Sequence, residues 1–106
     1  GIDIYSVIDA CNSQPFSHIH QPGIAVGGHC IPVYPRMYLW NDPGATVVRA
    51  AREENESMPS YAVDFLEKHH GSLRDQSVVV LGVSYRGGVK EIAFSGVFPV
   101  SSSSFL

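Results

Sequence analysis

Hydrophobic and polar residues alternate with a helical period in two parts of the chain. The first lies near the start, where Asp3 is a suitable N-cap and predicts a helix over residues 3–11. Apolar side chains recur there at the spacing of one helix face, at Ile4, Val7, Ile8 and Cys11. Cys11 therefore reads as a residue of the hydrophobic core, since free cysteine is a small apolar side chain that is often buried.

The second helical pattern is longer. Asp42 and Pro43 are a favourable N-cap and first helical residue. Pro59 lacks a backbone donor and predicts a kink or a split in this helix. Asn55 lies on the apolar stripe and needs a hydrogen-bond partner, either a backbone group freed at the kink or the glycine-rich loop that precedes the helix. The stripe consists of Val47, Ala51, Met58, Ala62 and Phe65.

The remaining segments predict a loop, a packing segment and a strand. Residues 12–35 are rich in proline and glycine and predict a loop, and residues 36–41 are aromatic-rich, with Trp40 as a packing anchor. After a helix stop at Gly71, the apolar run 77–82 predicts a buried parallel strand. It leads into a glycine-bearing loop, an arrangement found at nucleotide sites in parallel sheets.

Length and charge narrow the function classes. The chain has 106 residues, the size of one small domain, and a formal net charge of −3. A negative net charge implies no basic surface for nucleic acid, so we expect no nucleic acid partner. The apolar runs are too short to cross a bilayer, so we expect no membrane partner. Since no stretch resembles a secretion signal, we expect a cytoplasmic protein with two free thiols, Cys11 and Cys30.

The stretch Pro22–Pro35 contains three glycines, three prolines and Cys30. Glycines let a backbone approach a ligand closely, and prolines stiffen the loop. Such a loop can hold a thiol beside a bound molecule, although it can also be a rigid turn around a small buried cysteine. His18, His20 and His29 are nearby, but their spacing matches no common zinc pattern, so we expect no metal site.

Four segments carry a family resemblance. "PGIAVGGHCIPVYP" resembles the active-site loop PG-x-G-x-GG-[SH]-C-[IF]-P of the UDP-glucose/GDP-mannose dehydrogenase family, in the branch that is similar to UDP-N-acetylmannosamine dehydrogenase. "GIDIYSVIDACNSQPF" and "REENESMP" resemble its central domain. The segment beginning "VLGVSYRGGV" resembles "VLGLAYKPNV" at the start of its C-terminal domain. The resemblance covers residues 1–99.

The resemblance implies an α/β fold of which this chain holds a part. Residues 1–71 would be the C-terminal part of a mainly α central domain that carries the dimerisation helix and the catalytic loop. Residues 72–106 would be a truncated start of the Rossmann-like domain that binds the nucleotide sugar. We therefore expect a fragment without the NAD-binding domain, from a protein that forms a homodimer. The serine-rich end, residues 101–106, looks foreign to the family.

The resemblance also implies a reaction. Family members oxidise the C6 alcohol of a UDP-sugar to a uronate with two NAD⁺ and one water, through a cysteine thiohemiacetal and a thioester, and Cys30 takes the nucleophile's position. Ile31, Pro32 and Val33 would lie toward the nicotinamide of NAD. Substrate would be bound by Gln21, Pro22, Gly23, Ile24, Ala25, Val26, Gly27, Tyr85 and Arg86.

Three departures from the family pattern leave alternatives open. Tyr34 replaces a common acid four residues after the cysteine, Ala93–Gly96 replaces Arg-Glu-Ser-Pro, and the Lys and Asn that the family carries on the upstream helix are not in this chain. A divergent branch can carry these changes and stay active as a whole protein, but we expect the isolated chain to be inactive. A non-catalytic nucleotide-binding or interaction remnant is the main alternative, and thiol reactivity would distinguish it from an enzyme. A cysteine hydrolase is a weaker alternative, because it needs a positioned histidine and a third orienting residue. In an extended loop, His29 is adjacent to Cys30 and points the wrong way to be its base.

Overall fold

The computed structural model describes residues 1–102 and contains four helices in that range. They are α1 (Ile4–Cys11), α2 (Cys30–Asn41), α3 (Thr46–His70) and α4 (Val97–Ser101). The long helix α3 is the scaffold, since both α2 and α4 pack against it, whereas α1 contacts none of the other described helices. Residues 103–106, which hold most of the serine-rich end, lie outside the described residues.

Helix α1 matches its prediction. The Asp3 side chain accepts a hydrogen bond from the backbone N–H of Tyr5 and caps the helix. Ile8 is buried as predicted, but Cys11 is exposed, so the prediction of Cys11 as a core residue is wrong. The reason is that no other described helix covers this face of α1.

Helix α2 begins inside the predicted loop. Pro32 lies in its first turn, where the missing N–H is not needed for helical bonding, and Pro35 removes a single further donor. Two prolines near a helix start are therefore compatible with a helix, and the loop prediction is wrong from Cys30 onward. Trp40 is 90% exposed, so the predicted packing anchor is also wrong.

Helix α3 is continuous through Pro59, so the predicted split is absent. The helix starts at Thr46, because the Asp42 carboxylate instead accepts a bond from the Gly44 N–H and forms a turn. It ends before Gly71, whose φ of 95° lies in the left-handed region that favours glycine. The predicted helix and its stop are thus confirmed, while its first residues are not.

Residues 77–82 form no strand, and no other strand occurs within residues 1–102. The described part of the chain is therefore mainly α, and the predicted first strand of a Rossmann-like domain is not formed. A parallel strand is defined by ladder hydrogen bonds to a neighbour, and no described segment supplies them. Side chains of this run stay partly exposed, with Val79 and Leu81 at 78% and 92%.

The hydrophobic core is small. Its buried apolar residues include Ile8, Val63 and Leu73, with Pro32 fully enclosed. The radius of gyration is 16.3 Å, against roughly 13 Å for a compact domain of this length. Within residues 1–102, no helix has the length and apolar character needed to cross a membrane.

Candidate functional site

The glycine-rich loop, residues 22–28, runs between α3 and the segment 85–96. Asn55 of α3 holds it from one side, because its Oδ1 accepts a bond from the Val26 N–H at 2.8 Å and its Nδ2 donates to the Val26 carbonyl at 3.3 Å. The predicted alternative in which Asn55 contacts this loop is confirmed. The side-chain amide pairs with the backbone of Val26 much as a neighbouring strand would.

Gly27 and Gly28 are buried and hold the loop from the other side. The Gly28 N–H donates to the Ala93 carbonyl at 2.8 Å. A Cβ on Gly27 would lie 2.6 Å from the Cβ of Tyr85 and 2.7 Å from the carbonyl oxygen of Phe94. These separations are shorter than van der Waals contact, so only glycine lets the two segments approach this closely.

Cys30 is the first residue of α2 and is exposed. The interpretation of this stretch as a turn around a buried cysteine is therefore wrong. The backbone just before Cys30 is fixed at Gly28, which has a φ of 93° and lies against the ring of Tyr85. The thiol thus stands at the surface, on a segment whose preceding residues are tightly held.

His29 and Glu91 form an ion pair next to this cysteine. His29 Nε2 lies 3.0 Å from Glu91 Oε2, and the other carboxylate oxygen accepts bonds from the N–H groups of Ile92 and Ala93. The hydrogen bond from His29, followed by those from Ala93 and Ile92, lowers the pKa of Glu91 below its usual range. Glu91 is consequently an ionised acceptor at neutral pH and joins the two predicted domains.

A second charged cluster lies where α2 contacts α3. Arg36 of α2 donates to Glu56 of α3 at 2.6 Å, and Arg52 approaches the same carboxylate oxygen at 3.5 Å. The bond from Arg36 is the largest cause that lowers the pKa of Glu56. The guanidinium of Arg36 also lies 5.9 Å from the ring centroid of Phe94. The backbone φ of Phe94 is positive, at 52°. Through Arg36, α2 therefore contacts both α3 and the segment 85–96.

Sequence reasoning missed both charged clusters. His29 and Glu91 are 62 positions apart, and Arg36 and Glu56 are 20 apart. No local spacing pattern connects residues at such separations, because the periodic signals of strands and helices join residues two to four positions apart. Arg52 and Glu56 have that spacing, but the pair alone does not indicate a contact with α2.

A cavity of about 760 Å³ lies beside the loop, between α3, α4 and residues 78–89. Tyr85 and Arg86, the predicted aromatic and basic pair, line it, and its wall is otherwise mostly apolar. The structure therefore brings together five of the predicted substrate residues, namely Gly23, Ile24, Ala25, Tyr85 and Arg86.

The other predicted site residues lie outside this cavity. Gln21, Pro22, Val26, Gly27 and Cys30 are absent from its wall. Of the three residues predicted to face the nicotinamide, Ile31 is 57% exposed, Val33 is half-buried and Pro32 is fully buried. Ile31 therefore has the most surface to offer a cofactor. Within residues 1–102, no group of three or more His, Cys, Asp or Glu side chains could hold a metal ion.

Comparison with known protein families identifies the family of this chain. The model of the UDP-glucose/GDP-mannose dehydrogenase central domain matches residues 1–57, more than half of the chain. The chain belongs to the UDP-glucose/GDP-mannose dehydrogenase family. The matched region includes the glycine-rich loop, Cys30 and Asn55, so the family resemblance seen in the sequence is confirmed.

Individual relatives agree with the family. A UDP-N-acetyl-D-mannosamine dehydrogenase from Pyrococcus horikoshii is 39% identical over 98 residues, which span 86% of this chain and 23% of the relative. An NDP-N-acetyl-D-galactosaminuronic acid dehydrogenase from Ralstonia solanacearum is 30% identical over 93 residues, at 87% and 22% coverage. The chain thus spans about a quarter of the length of the curated relatives that it matches.

Solved structures give the same result. The UDP-D-ManNAc dehydrogenase of Pyrococcus horikoshii superimposes with a TM-score of 0.74 at 35% identity, covering 94% of this chain and 25% of that one. The UDP-N-acetyl-mannosamine dehydrogenase of Staphylococcus aureus gives 0.62 at 38% identity, covering 93% and 23%. The similarity extends beyond residue 57 and includes most of the described chain.

Proposed function

We propose that this chain is the catalytic-loop part of an NAD-dependent nucleotide-sugar 6-dehydrogenase, with residues 1–71 and 72–106 contributed by its central and nucleotide-sugar-binding domains. The observation that carries the proposal is the exposed thiol of Cys30, which is separated from the buried pair Gly27–Gly28 by His29 alone. Tyr85, which packs on Gly27, also lines the adjacent cavity with Arg86. Tyr85 therefore lies between the loop that carries the nucleophile Cys30 and the cavity in which Arg86 would bind an anion.

The residues suit the chemistry of a C6 oxidation. The thiolate of Cys30 adds to the C6 aldehyde, forms a thiohemiacetal and later departs as the leaving group when water hydrolyses the thioester. NAD, when bound, accepts the hydride of each oxidation step. Arg86 would pair with the diphosphate, since a guanidinium binds phosphate oxygens in a bidentate way, and Gln21–Gly27 would wrap the sugar.

The relatives' names favour a UDP-N-acetylhexosamine as the substrate class. In the whole protein, we propose that residues 77–82 pair as the first strand of the nucleotide-sugar-binding domain, and that two copies form a homodimer. The large exposed apolar side chains of α2 support a further contact surface: Ile31, Tyr34, Met37, Tyr38 and Trp40. We expect such a biosynthetic enzyme to work in the cytoplasm.

Competition between iodoacetamide and substrate tests this function. The 106-residue chain would be alkylated with and without UDP-N-acetyl-D-mannosamine, and the label at Cys30 and at Cys11 would be followed by mass spectrometry. We expect the nucleotide sugar to slow labelling of Cys30 and to leave Cys11 unchanged. Equal rates at the two cysteines, indifferent to ligand, would favour a non-catalytic remnant.

The role of Arg86 has a matched control. Arg86→Met should weaken the binding of UDP measured by calorimetry, because it removes the charge from the cavity wall. Arg74→Met removes the same charge from a position outside the cavity and should leave UDP affinity unchanged. An equal loss in both variants would indicate nonspecific attraction of the anion.

A further inference from the structure

We propose that His29, oriented by Glu91, is the general base that activates water for hydrolysis of a thioester on Cys30. The inference rests on the proposed function, since it needs Cys30 as the acyl carrier. A general base is recognised by its access to the reacting water and by a third group that fixes its orientation. In this structure Glu91 supplies the orienting group for His29, and the imidazole is open to solvent.

The hydrogen bond to Glu91 fixes the tautomer of His29. An ionised carboxylate only accepts hydrogen bonds, and Glu91 already accepts two from the backbone N–H groups of Ile92 and Ala93. The 3.0 Å contact therefore requires that His29 Nε2 carries the proton and donates it to Glu91 Oε2. In the neutral imidazole, Nδ1 is then the unprotonated nitrogen, which can accept a proton.

Nδ1 is accessible to water. Within residues 1–102 it has no hydrogen-bond partner, and the His29 side chain is 70% exposed. His29 and Cys30 are sequence neighbours, so their Cα atoms lie about 3.8 Å apart. The backbone angles of His29 are helical, with φ of −86° and ψ of −44°, so the two neighbouring side chains do not point in opposite directions as they would in an extended loop. In the proposed reaction, one water molecule lies between the imidazole and an acyl group on the Cys30 sulfur.

The hydrolytic step balances without an oxidant or reductant. Nδ1 of His29 takes a proton from water while the water oxygen forms a bond to the thioester carbon. The tetrahedral adduct collapses, the bond from carbon to Sγ of Cys30 breaks, and the sulfur leaves as a thiolate. The products are the carboxylic acid and the free enzyme, and the imidazolium returns its proton to solvent. Glu91 does not touch the substrate and acts as a positioning residue.

The test isolates this step in the 106-residue chain with 4-nitrophenyl acetate, which acetylates thiols. Loss of the acetyl group from Cys30 and from Cys11 is followed by mass spectrometry in the same sample, so Cys11 is an internal control. We expect acetyl-Cys30 to hydrolyse faster than acetyl-Cys11. His29→Ala should slow hydrolysis at Cys30 alone by about 100-fold, the lower end of general base catalysis, and added imidazole should restore it.

Two variants of Glu91 separate orientation from packing. In Glu91→Gln, the amide oxygen can keep both backbone hydrogen bonds, but the amide NH₂ group would face Nε2 of His29. Nε2 must then accept a hydrogen bond, so the proton of the imidazole moves to Nδ1, which can no longer act as a base. This variant should slow hydrolysis at Cys30, whereas Glu91→Asp, which keeps the carboxylate, should recover part of the rate. Far-UV circular dichroism would verify that each variant keeps its helices.

The outcomes distinguish the two proposals. If Cys30 is acetylated no faster than Cys11, the assignment of Cys30 as the nucleophile fails. If Cys30 is acetylated preferentially but its acetyl group leaves at the same rate in His29→Ala and the unaltered chain, the role of His29 fails while the dehydrogenase proposal stands. A slow His29→Ala variant that imidazole does not rescue would also overturn the general-base role.

Discussion

Asn55 holds Val26 by both polar groups of its backbone, with one bond of 2.8 Å and one of 3.3 Å. The same arrangement occurs once more within residues 1–102, where Asn12 accepts from the Ile19 N–H at 2.7 Å and donates to its carbonyl at 3.0 Å. In each case one asparagine at or near a helix fixes a loop that has no strand neighbour. Only the Asn55 pair lies at the glycine-rich loop.

The first prediction concerns this contact. Asn55→Ala should lower the free energy of unfolding by about 1 kcal/mol, since two partly exposed hydrogen bonds are lost, and should make limited proteolysis of residues 22–28 faster. Asn55→Asp should be at least as damaging, because a carboxylate repels the Val26 carbonyl. Asn12→Ala is the matched control and should loosen residues 12–19 without affecting the glycine-rich loop.

The second prediction concerns the close approach at Gly27. Gly27→Ala places a methyl group within 2.7 Å of Phe94 and closer still to Tyr85, and should cost about 1–3 kcal/mol in urea denaturation, as overpacking usually does. A methyl group at Gly23 would meet nothing within 4 Å, so Gly23→Ala should change stability by less than about 0.5 kcal/mol. Equal effects would show that Gly27 does not lie between these segments.

The third prediction is a pH dependence. The bond from Arg36 lowers the pKa of Glu56 in the folded chain below its ordinary value of 4.5. The unfolded chain therefore takes up this proton at higher pH than the folded chain. The stabilisation from Glu56 is present in full above about pH 4.5 and is lost as the pH falls further.

Glu56→Gln removes this contribution. The unfolding free energy of the variant, measured by urea titration between pH 3 and 6 (about the range in which carboxylates titrate), should fall less steeply with acid than that of the unaltered chain. Glu53→Gln is the control, because Glu53 makes no ion pair within residues 1–102. Identical slopes in the two variants would argue against the bridge between Arg36 and Glu56.

The fourth prediction uses the single tryptophan. Trp40 is 90% exposed, so its fluorescence should resemble that of an indole in water and should shift little when urea unfolds the chain. Trp40→Ala should change stability by less than about 0.5 kcal/mol. A shift to shorter wavelength that grows with protein concentration would indicate association through α2, whereas such emission at high dilution would contradict the exposed position.

The sequence by itself determined the elements that depend on local chemistry. The Asp3 cap and the periodicity of α1, the helical character of most of α3 and the stop at Gly71 all follow from interactions within a few residues. The family motif around Cys30 is equally local, and so is the pair Gly27–Gly28. These features could be predicted because each residue's partner lies within one or two helical turns.

The tertiary structure decided the rest. Apolar β-branched residues at 77–82 predict a strand, but a strand exists only where another segment completes its hydrogen bonds, and none is present within residues 1–102. The exposure of Cys11 and Trp40 likewise depends on which surfaces pack against their helices. The pairing of His29 with Glu91 joins positions 62 residues apart, and only the folded chain brings that carboxylate next to the cysteine loop.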